Sequence, residues 1–276
     1  MQNKSAVENH YGTESVRARV EQALHRANLN DVPAHWKDFA PLDQFHIRGL
    51  AATKELAEAL RVEPHSRVID VGSGLGGPSR FLAANYSCHV TGVDLSEPFV
   101  EVARALTVRC GLEELVEFHH GNALALPFED ASFDYAWTQH VAMNIADRAA
   151  MYREIARVLK AGGRFAVYDV IAGDGRALTF PVPWASTQDA SFLLNEDETK
   201  RALIDASFEI ETWSDKTAVS FEWFNELEAT DFAPLTSSPL SLITVMGEGF
   251  LDALRNLGAN LRDGRIRVAQ VILKKS

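Results

Sequence analysis

Four polar residues recur at intervals of about twenty to thirty positions: Asp70, Asp94, Asn122 and His140. Asp70 precedes a glycine-rich run, Gly72-Ser73-Gly74-Leu75-Gly76-Gly77-Pro78. Glycines let a chain turn tightly and let a ligand approach without Cβ interference. A carboxylate at Asp70 would repel a pyrophosphate but accept from an ammonium group. Asp94 lies about twenty residues past the glycines, where an acid at a strand end can bind both hydroxyls of a ribose. The competing account of Asp94 is an acid favoured by the dipole of the next helix. For Asn122 it is an ordinary Asx turn. His140 carries an imidazole able to remove a proton near neutral pH, which suits an amine, phenol or enol. A rate rising through the ordinary imidazole pKa is then expected; the alternative is a histidine held by backbone hydrogen bonds. A second cluster, Phe45, His46 and Arg48, stands just before an apolar-periodic segment.

These residues need a scaffold, and the hydropathy pattern supplies one. Val68, Ile69 and Val71 read as a buried parallel strand over 67–71, followed by a helix near 77–86 whose free N–H groups face the glycines. Further strands are expected at 88–94, 116–120, 133–138 and 164–170, separated by helices at 97–110 and 147–159, the latter ended by Ala161-Gly162-Gly163. Alternation at this spacing implies a parallel sheet. Before it, 14–28 and 50–60 have helical spacing, the latter with Leu50, Ala51, Leu56, Ala57 and Leu60 on one face, and 31–43 reads as a loop. After it come an irregular stretch at 172–195, a helix at 196–206, a strand at 208–213, mainly helical residues 221–263 broken at 234–239, and a last strand at 265–273.

The chain has 276 residues and a formal net charge of −11. A nucleic-acid partner is not expected, because phosphate binding needs a basic face. No apolar run is long enough to span a bilayer, and the first residues lack the apolar core of a signal peptide. A cytoplasmic protein with no membrane partner is expected. Cys88 and Cys110 have no metal spacing and read as reduced core thiols. His119 and His120 face opposite ways on a strand and are not a metal pair. The spacing of Gly72, Gly74 and Gly77 also fits dinucleotide-binding folds, so a nicotinamide-dependent oxidoreductase stays open.

The glycine run, Asp94, the loop Gly121-Asn122-Ala123-Leu124-Ala125-Leu126-Pro127 and the stretch Phe128-Glu129-Asp130-Ala131-Ser132-Phe133-Asp134 together resemble class I S-adenosylmethionine-dependent methyltransferases. Trp137-Thr138-Gln139-His140-Val141-Ala142-Met143-Asn144 is similar to a run in amine methyltransferases, in the group that includes sarcosine/dimethylglycine and phosphoethanolamine N-methyltransferases and ubiquinone-pathway C-methyltransferases. His140 stands where those enzymes have an acid, and Asn144 where they have a histidine.

The resemblance implies an α/β fold: a Rossmann-like, seven-stranded, mostly parallel sheet with helices on both faces and an antiparallel edge. It implies S-adenosylmethionine as cofactor and S-adenosylhomocysteine as product. Asp70, Gly72, Gly74 and Gly76 would hold the methionine end, Asp94 the ribose, and Asn122, Ala123 and Leu124 the adenine. Ser73, Gly77 and Leu95 would complete these contacts, with Gln139 beside the methionine. Residues 1–62 would form a helical lid carrying Tyr11, Phe45 and His46. Residues 63–276 would form the core, with cap segments 172–195 and 218–263 over the crevice. Asn144, Trp184 and Trp223 would touch the acceptor, with His140 and His46 as catalytic candidates. Phe180, Phe192 and Phe224 would complete an aromatic cap, since aromatic faces attract cations; ordinary core packing is the alternative for each. The acceptor is expected to be a small molecule, an amine in the first instance, with C- or O-methylation of a quinone or phenol as the alternative. A monomer or homodimer is expected.

Overall fold

The computed structural model describes residues 15–29, 33–247 and 249–276. Its centre is a seven-stranded sheet: β1 (Arg67–Val71), β2 (His89–Asp94), β3 (Val116–His120), β4 (Phe133–Gln139), β5 (Leu159–Ala172), β6 (Phe208–Asp215) and β7 (Ile266–Lys275), in spatial order β3-β2-β1-β4-β5-β7-β6. The first five strands run parallel, and β7 lies antiparallel between β5 and β6. This is the expected Rossmann-like fold. Strand order reverses between β1 and β4, so the helices that follow them leave on opposite sides and open a crevice at the carboxyl ends.

Helices cover both faces: α1 (Ser15–Arg26), α2 (Ala40–Asp43), α3 (Gly49–Leu60), α4 (Gly77–Tyr86), α5 (Glu97–Arg109), α6 (Arg148–Val158), α7 (Glu196–Asp205), α8 (Thr217–Ala229), α9 (Ala233–Thr236), α10 (Leu242–Met246) and α11 (Phe250–Arg262). Val68, Ile69 and Val71 are fully buried, because β1 has apolar layers on both sides. Ser96 accepts from the Phe99 amide and caps α5, with Pro98 in the first turn where its missing N–H costs nothing.

Several boundaries differ from expectation. Residues 36–43 are not loop: a 3-10 turn over Trp36–Phe39 runs into α2, with Phe39 and Leu42 buried. On α3, Leu56, Ala57 and Leu60 are buried as expected, but in its first turn Ala52 and Thr53 point inward while Leu50 is half-buried and Ala51 exposed. Helix α6 stops at Val158, and Ala161-Gly162-Gly163 lie inside β5. There Phe133 pairs with Leu159 and Tyr135 with Arg164, so the glycines form a bulge and not a helix stop. Helix α9 includes Pro234, and the breaks fall on either side of α10.

Helix α1 packs Val16, Val20 and Leu24 into a cluster with Phe99, Leu106 and Val245. The Arg19 guanidinium donates to the Thr244 carbonyl at 2.9 Å and to that of Val245, tying α1 to α10. Cys88 is buried and Cys110 half-buried, both as free thiols. No described helix is long and apolar enough to cross a membrane.

Candidate active site

The carboxyl ends of β1, β2, β3 and β4 open on one cavity of about 1290 Å³, part of it open to solvent. Gly72 and Gly74, Asp94 and Leu95, Asn122 and Ala123, and Gln139 and His140 line it. Each pair follows a strand directly or by one turn, so sheet geometry gathers residues far apart in sequence.

Asp94 is held by the backbone. Its Oδ2 accepts from the Gly74 amide and its Oδ1 from the Ser96 amide, both at 2.8 Å. Burial pushes its carboxyl pKa up, and these amides oppose the shift. Each carboxylate oxygen keeps a second lone pair for a ligand donor. Asn122 forms the Asx turn, its Oδ1 accepting from the Leu124 amide at 2.9 Å, and keeps its Nδ2 donors.

The glycine run does more for packing than the sequence suggested. Gly72 has φ +78°, and a Cβ there would lie 2.3 Å from a Val141 methyl. A Cβ on Gly77 would lie 2.4 Å from the Asp43 carboxylate. Asp43 in turn pairs with Arg80 of α4 at 2.6 Å, both side chains being almost wholly buried. The glycines therefore admit the 43–45 segment and the β4 loop to the first turn of α4. Gly76 packs against Phe118 and Arg80, and neither Gly76 nor Gly77 lies on the cavity wall. Ser73 and Leu124 are also off the wall.

Asp70 is the clearest departure among the cofactor candidates. It is buried beneath the loop, its Oδ2 accepting from the Ser79 hydroxyl at 2.6 Å, and it does not line the cavity. Burial pushes its carboxyl up to about 7. Its packing against α4 braces the loop from below.

The other end of the cavity is apolar. Trp184 from the 172–195 segment, Trp223 and Phe224 from α8, and Leu242, Phe250 and Leu254 from α10 and α11 face it. Among the described lining residues Asp94, His46 and His140 alone can titrate, and none is Lys, Arg or Glu. Phe180 and Phe192 do not line it; Phe180 packs on the core. Tyr11 lies outside the described residues.

The two ends meet at Gln139, His140 and His46. The Trp137 indole N–H donates to Gln139 Oε1 at 3.0 Å, and Thr53 of α3 reaches the same oxygen at 3.3 Å. That orients the carboxamide and leaves Gln139 Nε2 buried with no partner among the described residues. Thr53 Oγ also donates to Gln44 Oε1 at 2.7 Å and lies 2.9 Å from His46 Nε2. His46 Nε2 lies 2.9 Å from the Gly49 carbonyl, which can only accept, so this nitrogen carries the proton. Thr53 was not foreseen; it lies one turn before the correctly expected Leu56, Ala57 and Leu60 on the buried face of α3.

His140 adopts φ +54°, a left-handed conformation that histidine tolerates better than most residues. Its amide donates to the Tyr168 carbonyl at 2.9 Å, and its ring stacks on the Tyr168 ring at 5.6 Å and 5°. The His46 ring lies 6.1 Å from it, edge to face. His140 Nε2 is buried with no partner among the described residues. Burial, and then His46, push the His140 pKa well below 6.5. Burial lowers His46 to about 4, with the Gly49 carbonyl opposing. Both shifts favour neutral rings at neutral pH and move any limb set by these imidazoles below the ordinary imidazole pKa. Asn144 lines the cavity, in the loop that Asp169 anchors through the Ala142 amide at 3.0 Å.

Residues 69–167 match the family described as "Methyltransferase domain". Residues 69–167 are thus similar to a methyltransferase domain. The chain is 37% identical over 137 residues to methyltransferase GfsG of Streptomyces halstedii, covering 50% of this chain and 49% of that protein. It is 32% identical over 210 residues to 2-methyl-6-phytyl-1,4-hydroquinone methyltransferase of Synechocystis, covering 75% of this chain and 58% of that one. Over half of its length or more, this chain thus matches about half the length of these curated relatives. A solved geranyl diphosphate C-methyltransferase from Streptomyces coelicolor, bound to S-adenosylhomocysteine, has the same fold: TM-score 0.72 at 18% identity, over 100% of this chain and 99% of that one. The domain match covers the carboxyl ends of β1 to β4; residues 172–195 and 218–263 lie outside it.

Proposed function

We propose that this chain transfers a methyl group from S-adenosylmethionine to a small molecule with a largely apolar body. The observation that carries the reading is one cavity with two unlike ends: the β1–β4 strand ends of a methyltransferase domain, and an aromatic and aliphatic chamber under the cap. S-adenosylmethionine supplies an electrophilic methyl on a sulfonium. The residues fit such a group: Asp94 keeps lone pairs for ribose hydroxyls, Asn122 keeps Nδ2, and Gly72 and Gly74 bring backbone to the wall.

The work of this chain is to align the acceptor and exclude water. An uncharged acceptor is favoured over the amine of the first expectation. A cation beside a sulfonium needs a compensating carboxylate, and the described lining offers Asp94 alone, already at the donor end.

Calorimetry with S-adenosylhomocysteine and NAD tests the reading. S-adenosylhomocysteine is expected to bind at micromolar level or tighter and to raise the melting temperature. Tighter binding of NAD, with none of S-adenosylhomocysteine, overturns it in favour of an oxidoreductase.

A further inference from the structure

At the centre of the cavity, Gln139 Nε2 and His140 Nε2, on adjacent residues, are buried polar atoms with no partner among the described residues. They are of complementary kinds. The Gln139 Nε2 group can only donate, because Trp137 and Thr53 hold its oxygen. His140 Nε2, on a neutral ring, can accept when the proton sits on the other ring nitrogen. A buried polar atom left unpaired is costly, so each calls for a partner. A hydroxyl answers both and keeps a nucleophile: one lone pair accepts from Gln139, the hydrogen donates to His140, and the second lone pair is left to attack the methyl. A protonated amine offers only donors, a carboxylate only acceptors, and a neutral amine would spend its single lone pair on Gln139 and have none left to attack. The surrounding wall, Trp184, Trp223, Phe250 and Leu254, accepts an uncharged body.

We propose that the acceptor is an uncharged, apolar-bodied alcohol or phenol whose hydroxyl oxygen is held by Gln139 Nε2 and whose proton passes to His140 Nε2. The proposal rests on the methyltransferase reading above. A C–O bond forms, the donor C–S bond breaks with its electron pair kept by sulfur, and the hydroxyl proton goes to His140, which returns it to solvent. A weakly basic imidazole suffices, because the hydroxyl proton becomes strongly acidic as the new C–O bond forms. Two neutral imidazoles also leave the site without a positive charge facing the sulfonium. Thr53, His46 and Gln44 position the Gln139 carboxamide, linking the 44–46 segment to the reacting oxygen.

Calorimetry on the full chain loaded with S-adenosylhomocysteine, with 4-hexylphenol, 4-hexylbenzylamine and 4-hexylbenzoate as matched probes, tests this. The phenol is expected to bind about tenfold or more tightly than either charged probe. Gln139→Leu is expected to weaken the phenol about tenfold and S-adenosylhomocysteine less than about threefold. With S-adenosylmethionine, His140→Asn, which tolerates the left-handed backbone, is expected to cut methyl ether formation about 100-fold or more with little change in phenol affinity. Absence of S-adenosylhomocysteine binding defeats the methyltransferase reading itself; the probe preference is still read on the unloaded protein. If S-adenosylhomocysteine binds but the phenol does not, or a charged probe binds as tightly, or Gln139→Leu leaves the phenol unaffected, the proposal is wrong.

Discussion

At the donor end of the cavity the polar groups come from strand ends and turns within residues 72–123, and their partners are backbone amides. At the proposed acceptor end the wall comes from side chains of 45–47 and 183–257, segments separated in sequence by β1 to β5. The donor end is specified by short-range chain geometry, which one stretch of sequence can encode. The acceptor end exists only once distant helices dock, and its character follows from what each helix turns inward. The Asp43–Arg80 pair and the Gln44–Thr53–Gln139 bonds join the two.

The largest expected effect breaks that joint. Asp43→Ala leaves Arg80 buried without its carboxylate and is expected to cost about 3–5 kcal/mol of stability. Denaturant unfolding measures it, and a loss below about 1 kcal/mol would show that the donor end does not need the 43–45 segment.

Asp94→Ala is expected to weaken S-adenosylhomocysteine by about 2–4 kcal/mol. It also strips the Gly74 and Ser96 amides of their acceptor, so a stability loss accompanies it. Calorimetry showing an unchanged dissociation constant would remove Asp94 from the donor end.

Trp223→Ala sharpens the contrast from the other side. The ring is half-buried, so the loss is expected mainly in binding: about tenfold for an apolar acceptor probe, roughly 1–2 kcal/mol. The S-adenosylhomocysteine constant should stay within about twofold. Equal losses of both ligands would mean that the cap shapes the donor end too.

The smallest effect is a slope. His46 and His140 have native pKa values below 6.5, so between about pH 4 and 6.5 the unfolded chain holds protons that the native chain does not. Each group then subtracts stability as pH falls through that window, by up to about 1.4 kcal/mol per pH unit. Asp70, raised to about 7, works in the opposite sense as pH rises from about 4 toward 7. His46→Gln is expected to flatten the acid-side fall in unfolding free energy. An unchanged slope would mean that His46 titrates normally and the centre of the cavity is wet.

The sequence by itself determined the strand–helix alternation, because β-branched runs at a period of two and apolar stripes at helical spacing are local signals. It also placed Asp94, Asn122, Gln139 and His140 at strand ends, since a strand's end follows from its length. The sequence could not show which way a residue faces once α4 packs against the loop. Asp70, Gly76 and Gly77 serve that packing and not the wall. Nor could it show the inward turn of Thr53, which depends on how α3 seats on the sheet. Trp184 and Trp223 were legible as aromatic residues of a cap. Phe250, Leu254 and Leu242 fell inside the expected 218–263 cap segment but were not singled out, and Phe180, read as cap, packs against the core. A helix's apolar face does not say whether it covers a neighbour or a cavity. The neutrality of His46 and His140 was likewise decided by tertiary structure, because desolvation depends on what other segments bury, and no local pattern records that.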